Sequence, residues 1–312
     1  MIKFVSKFKY ACMLIAVFLV ATVACYFIEG LNLDISFQGG TQIQVQVADE
    51  SSDDDALAAA IQSATGKVTN VQKSKSFDIN SSEDRYFLVI KLASNQALNA
   101  EERAKVQELV REQANVVEIE NQDPFEFQNV EPSIGQEMLW AGIKGLVIAF
   151  VLMILYIAFR FRKIAGLQAG LSTILALLVD VVIVFGVYVI FHIAFNESFI
   201  AAILTIIGYS INDKIIVFDR IRELTISGRR KLAHEEIVDL SINETLPRTI
   251  NTTITTLIAL VVVLVMSLIY NVGSIVEFAI PLIIGVTCGT LTSMFVATPV
   301  YAKWMDSRTA KR

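Results

Sequence analysis

Two carboxylates stand where a chain can least accommodate charge. Asp180 and Asp213 each fall inside an apolar run long enough to cross a bilayer, where an ionisable side chain costs about 2.5 to 3.5 kcal/mol to insert. Asp180 lies near the middle of its run, which carries no Lys or Arg. Asp213 lies about five residues from the end of its own, at a rise of roughly 1.5 Å per residue. Arg248 opens the next run from the same side, so the two are expected to meet at similar depth as a pair. A titrating carboxylate, a fixed cation that tunes it and hydroxyls that pass hydrogen bonds are the parts of a proton path. Arg248, Asn251, Thr252, Thr255 and Thr256 share one helical face, and this stripe is expected to look into the helix bundle. Asn212, Asn251 and Thr252 are read as polar groups supporting a relay of Asp213, Arg248 and Asp180.

Other chemistry has little to work with. The chain has two His and three Cys. Cys12, Cys25 and Cys288 all lie in apolar runs, so no disulfide framework is expected. No zinc-binding pair, nucleophile with a base, or second catalytic carboxylate at matched depth is visible, which argues against an intramembrane enzyme. No metal or cofactor is expected. Gly285, Gly289 and Ser293 form a small-residue ridge that suits close helix packing.

Six runs supply the positions of these groups, at 10–28, 139–159, 167–190, 199–218, 250–269 and 275–304. Together with a hydrophobic content of 54% and a mean hydropathy of +0.57, they predict an α-helical integral membrane protein with six transmembrane helices. Charge sets their orientation. Residues 29–137 carry twenty Asp or Glu against eight Lys or Arg, leaving the remainder of the chain net positive. Those cations gather before the first run, between the second and third, between the fourth and fifth, and at the end. Both termini are therefore expected in the cytoplasm, with residues 30–137 outside. The expected organisation is a first transmembrane helix over 1–29, an exported domain over 30–137, five helices over 138–306 with a cytoplasmic loop at 219–247, and a tail over 307–312. The acidic domain has no basic patch, so nucleic acid is not an expected partner. Basic residues between 219 and 244 suit anionic lipid or a cytoplasmic partner.

Within the exported domain the apolar period alternates between two kinds of element. Residues 41–47 read as a half-buried strand. Residues 53–64 read as a helix with acidic residues in its first turn and Gly66 after its end. Strands follow near 68–77 and 86–92. Asn99 and Glu102 then form a capping box opening a helix through 113, and a last strand is expected at 116–119. This order, strand–helix–strand–strand–helix–strand, is that of a ferredoxin-like α+β domain.

The run from Gly208 through Asp213 to Glu223, Gly-Tyr-Ser-Ile-Asn-Asp-Lys-Ile-Ile-Val-Phe-Asp-Arg-Ile-Arg-Glu, closely resembles the fourth-span signature of the SecF family. Phe37-x-Gly39-Gly40-Thr41, Val130-x-Pro132-Ser133-x-Gly135 and Thr245-Leu246-x-Arg248-Thr249 resemble three further elements of that family. The resemblance implies a bacterial inner-membrane subunit, related to the RND transporters, that works with SecD and the SecYEG channel. It implies use of the proton-motive force to draw unfolded preproteins out at the periplasmic side, with YajC and YidC as further neighbours. It implies proton movement at Asp213 with Arg248, completed by an Asp of SecD, and a junction between domain and helices at Gly39, Gly40, Thr41, Pro132, Ser133 and Gly135. Ser36, Glu131, Val179 and Lys214 depart from the family pattern. Lys214 follows Asp213 directly, and is expected to point away from it toward the inner headgroups. The competing reading is a small-molecule efflux transporter of the RND type, which would normally need a second helical block.

Overall fold

The computed structural model describes residues 2–49, 52–77, 84–93, 98–118, 123–227 and 232–309. Six of its helices are long and apolar enough to cross a membrane. They are α1 (Phe4–Glu29), α5 (Pro132–Arg160), α6 (Gly166–Ile190), α7 (Glu197–Ile226), α8 (His234–Ile269) and α9 (Gly273–Thr292), the last running on through a π-helical segment, Ser293–Ala297, into α10 (Thr298–Thr309). In α6, α7 and the α9–α10 unit about half of the side chains are buried, whereas α1, α5 and α8 are mostly exposed. The first three form the inner layer, and the others leave broad apolar faces to lipid.

Much of the segment expected as a loop at 219–247 is helical. Helix α7 runs on to Ile226 and α8 begins at His234. These polar extensions hold the start of α1, whose own N-terminal neighbour Lys3 offers no cap. The backbone N–H groups of Phe4 and Val5 donate instead to Asp239 Oδ1 at 2.8 and 3.0 Å. Asp239 thereby satisfies two of the four amides that any helix start leaves unpaired. Phe4, Phe161, Phe218 and Tyr301 pack beneath it in one buried cluster, and the Tyr301 hydroxyl donates to the Ile164 carbonyl at 2.6 Å.

Between α1 and α5 the chain forms an extramembrane sheet of β1 (Gly40–Val47), β2 (Thr69–Phe77), β3 (Asp84–Ala93) and β4 (Phe125–Val130), in the order β2-β3-β1-β4. All three pairings are antiparallel. Ile43, Val45 and Val47 alternate with half-exposed Gln residues, as a strand with one face on a core requires. That core is closed by Leu57 and Ile61 of α3 (Asp54–Thr65) and by Val106 and Val110 of α4 (Ala100–Gln113). Asp53 caps α3 and Gly66 ends it in the left-handed region, at φ 67°. The capping box of Asn99 and Glu102 is formed, and Lys67 Nζ lies 2.9 Å from the Glu102 carboxylate. The hydrogen bond from Lys67 is the main reason that carboxyl is held below its usual pKa.

The fourth strand is not at 116–119, where the β-branched residues Val116, Val117 and Ile119 placed it. Val116 makes only an isolated bridge to Val47, residue 119 lies outside the described residues, and the edge of the sheet is taken by Phe125–Val130. Phe125 is buried against the core and Phe127 packs on it. Two aromatic rings cover more apolar surface than a short valine run.

The junction to the membrane is a short helix, α2 (Ile35–Gln38). Asp34 caps it, accepting from Ser36 N at 2.9 Å and Ser36 Oγ at 2.8 Å, while Lys91 Nζ of β3 donates to its other oxygen at 2.7 Å. Burial alone would raise the Asp34 pKa. The Lys91 charge and these hydrogen bonds outweigh it and hold the carboxyl below its usual range. Gly39 ends α2 at φ 81°, a backbone region that side chains disfavour. A Cβ at Gly135 would stand 2.1 Å from the Ser36 carbonyl, and one at Gly40 2.2 Å from the Leu92 carbonyl. Thr41 Oγ1 donates to Asn129 of β4 at 3.0 Å, Pro132 opens α5, and Ser133 follows it. A second tie comes from β2, where Gln72 donates to Glu277 of α9 at 2.8 Å. Asn196 donates to the other carboxylate oxygen at 2.7 Å.

Candidate functional site

The inner layer brings the two membrane-depth carboxylates into one buried polar cluster. On α7, Ser210 and Lys214 are four residues apart and Asp213 lies between them, so all three project toward one side. Asp180 comes from α6, Thr290 and Thr292 from α9, and Ser293 from the π segment. None of the seven side chains belongs to a residue more than 7% exposed. Gly289 makes the approach close, since a Cβ there would stand 2.8 Å from Ser210 Oγ. One turn away, a Cβ at Gly285 would press into Ile206 at 2.3 Å. A π-helical turn frees backbone from the regular ladder and frequently marks a functional position. Here it begins at the cluster.

Asp180 is fully engaged. Its Oδ2 accepts from Ser210 Oγ at 2.6 Å and from Lys214 Nζ at 3.0 Å, and its Oδ1 accepts from Thr292 Oγ1 at 2.5 Å. Lys214 also donates to Ser210 Oγ, with Ser293 Oγ at 3.3 Å and Thr292 Oγ1 at 3.4 Å. Its side chain is entirely buried, so the expected reach toward the headgroups is corrected. An ammonium at this depth needs a counter-charge, and α6 supplies one.

Asp213 is treated differently. Thr290 Oγ1 donates to its Oδ2 at 3.0 Å, while Oδ1 is buried with no hydrogen-bond partner among the described residues. The expected pair with Arg248 is absent among the described ion pairs, and Arg248 is exposed, as are Asn212, Asn251 and Thr255. Thr252 is half-buried and returns its hydroxyl to the carbonyls of Arg248 and Thr249, at 3.1 and 2.9 Å. The polar stripe of α8 therefore faces out of this chain, and the expectation that it looks inward is corrected. The face turned in carries Thr249 and Thr253 instead.

Thr253 belongs to a line of hydroxyls that the stripe concealed. Tyr209 Oη donates to Thr253 Oγ1 at 3.3 Å, Thr253 and Thr290 share a hydrogen bond of 2.9 Å, and Thr290 reaches Asp213. Each link is short enough, or nearly so, to pass a hydrogen bond along. Tyr209, Thr253 and Thr290 stand in the sequence as an i, i+4 partner of Asp213 and as two threonines among many. Only the relative rotation of α7, α8 and α9 singles them out.

Residues 110–307 match the family described as protein export membrane protein SecD/SecF, C-terminal. The chain belongs to the SecD/SecF family. It is 32% identical to the protein translocase subunit SecF of Calditerrivibrio nitroreducens, over 95% of this chain and 92% of that one. To the SecF of Helicobacter pylori it is 30% identical, over 96% of this chain and 86% of that one. Among solved structures it is similar to SecDF of Thermus thermophilus, a translocon-associated membrane protein, with a TM-score of 0.74 and 28% identity over 98% of this chain and 39% of that longer one. The chain is thus a multi-pass membrane protein of a protein-translocase family, and the cluster on α6, α7 and α9 is its buried polar centre.

Proposed function

We propose that this chain acts as the SecF-type half of a Sec translocase motor, using the proton-motive force to promote preprotein translocation and release. One observation carries the reading: Asp213 is a wholly buried carboxylate at membrane depth that has, among the described residues, a single hydroxyl donor and one oxygen unpartnered. Its neighbour Asp180 is saturated. A carboxylate left with spare hydrogen-bonding capacity is the one that can gain and lose a proton without dismantling an ion pair. The line Tyr209–Thr253–Thr290 offers it a route, and a changed bond at Asp213 biases the packing of α7 against α8 and α9.

The outward polar face supports a SecD partner. Arg248, Asn251 and Thr255 on α8, with Thr205, Gly208 and Asn212 on α7, are exposed at membrane depth, where lipid offers Arg no counter-charge. An acidic partner helix covering this face supplies one, and the Thermus protein carries additional chain beyond the part matched here. The strand order β2-β3-β1-β4 with two helices on one face supports a ferredoxin-like domain. The charge distribution supports its placement in the periplasm of an inner-membrane protein with both termini inside. No catalysis is needed for this role. SecYEG and an unfolded preprotein are the remaining partners of the reading.

The test is export of a secreted precursor in cells whose only SecF is Asp213→Asn, or Arg248→Met, with drug sensitivity followed in parallel. Precursor accumulation at unchanged drug sensitivity is the expected outcome. Normal export with heightened drug sensitivity assigns the chain to efflux instead.

A further inference from the structure

The Lys214 ammonium sits in a shell that would suit a free monovalent cation. Four oxygens surround Nζ: Ser210 Oγ at 2.5 Å, Asp180 Oδ2 at 3.0 Å, Ser293 Oγ at 3.3 Å and Thr292 Oγ1 at 3.4 Å. They come from three membrane helices and the π segment, and their residues are at most 4% exposed. The shell carries one carboxylate charge and holds one positive charge. Its oxygens are fixed by bonds that do not involve the lysine. Ser293 Oγ donates to the Gly289 carbonyl at 2.7 Å, Thr292 Oγ1 donates to Asp180 Oδ1 at 2.5 Å, and Ser210 Oγ donates to Asp180 Oδ2 at 2.6 Å. Sodium is a hard cation that takes oxygen ligands, transporters hold it near the midplane where helices are interrupted, and an ammonium is a compact point charge able to stand in for it.

We propose that Lys214 is the ion-selectivity determinant of this centre: its tethered ammonium occupies a monovalent-cation site and so confines coupling to protons. The proposal rests on the reading of Asp213 as the coupling group. Lys214→Ser removes the tether and leaves all four oxygens in place, so it opens the site to sodium. Asp180→Asn with Lys214→Met removes both charges and closes it.

Unfolding temperatures of the full-length wild type, K214S and D180N/K214M, purified in detergent, are measured in sodium chloride and in choline chloride at equal ionic strength. K214S is expected to gain about 3 °C or more in sodium, as binding to the folded state alone stabilises it. The wild type and the double variant are expected not to move. Equal unfolding temperatures of K214S in the two salts, or a sodium-specific gain by the wild type, overturn the proposal. Retention of radioactive sodium by the wild type gives a readout that does not depend on K214S folding, and saturable retention above that of D180N/K214M also overturns it. Neither measurement involves export, so either can fail while the role of Asp213 stands.

Discussion

The two buried carboxylates lie one helix apart and are set in opposite conditions. Around Asp180, three side-chain donors, one of them an ammonium, meet both oxygens in a shell closed by α6, α7 and α9. Around Asp213, on the flank of α7 turned to α8 and α9, one threonine donates and one oxygen is bare. A charge compensated from several sides fixes helices relative to one another, and altering it costs the fold. A charge compensated from one side leaves its surroundings free to rearrange when a proton arrives. In the proposed mechanism Asp180 belongs to the architecture of the centre, and Asp213 to its working cycle.

The contrast predicts its largest effect at the closed site. Asp180→Asn or Lys214→Met alone strands a buried charge and is expected to cost about 3 to 5 kcal/mol, whereas the double change is expected to recover most of that loss. Thermal unfolding of the four proteins in detergent, read as a double-mutant cycle, checks this. Additive losses would mean that the pair is not a unit. Asp213→Asn should behave the other way round. The amide keeps an acceptor for Thr290, so stability is expected to change by less than about 1 kcal/mol while precursor export falls at least tenfold. Pulse-labelled export alongside unfolding separates the two quantities.

Packing between the two sites gives the next effect. Gly289→Ala places a methyl carbon 2.8 Å from Ser210 Oγ and is expected to cost about 1 to 3 kcal/mol, checked by the same unfolding measurement. Thr290→Val keeps the shape and removes the one side-chain donor to Asp213 among the described residues. A stability loss of about 1 kcal/mol with export slowed several-fold is expected, and unchanged export would remove the hydroxyl line from the mechanism.

How legible this was depended on whether the information was local. The alternation of Thr41 to Val47 and the three-residue spacing of Asn99 and Glu102 specify a strand and a capping box by short-range geometry, and both stand in the structure. The edge strand was not local: its place is fixed by pairing Phe125–Val130 with β1, which the apolar residues in 116–119 could not reveal. In the membrane, hydropathy gave the six helices but not their rotation. A polar face in water points outward and an apolar one inward, but in lipid a polar face can turn to the bundle or away from it. Arg248 and Asn251 are turned away from the bundle of this chain. Lys214 was misplaced for the same reason, because its partner Asp180 lies on another helix and only the α6–α7 contact brings them together.

The smallest expected effect lies outside the membrane, at a third carboxylate engaged from several sides. The Asp34 pKa is lowered in the folded protein, with Lys91 and the Ser36 donors outweighing burial. Its contribution is therefore fully present above the unfolded value of about 3.9 and is lost as pH falls through the depressed folded value. Wild type is expected to be the more stable of the pair with Asp34→Asn near neutrality, and the two to converge in acid. Unfolding followed across pH checks the convergence.

Infrared difference spectroscopy of the chain with its copurified partner, titrated across neutral pH in membranes, reads the protonation of Asp213 directly. The account predicts a protonated-carboxyl C=O band that disappears as pH rises and is missing from Asp213→Asn. A spectrum with no titrating band, or one whose band persists in Asp213→Asn, contradicts it.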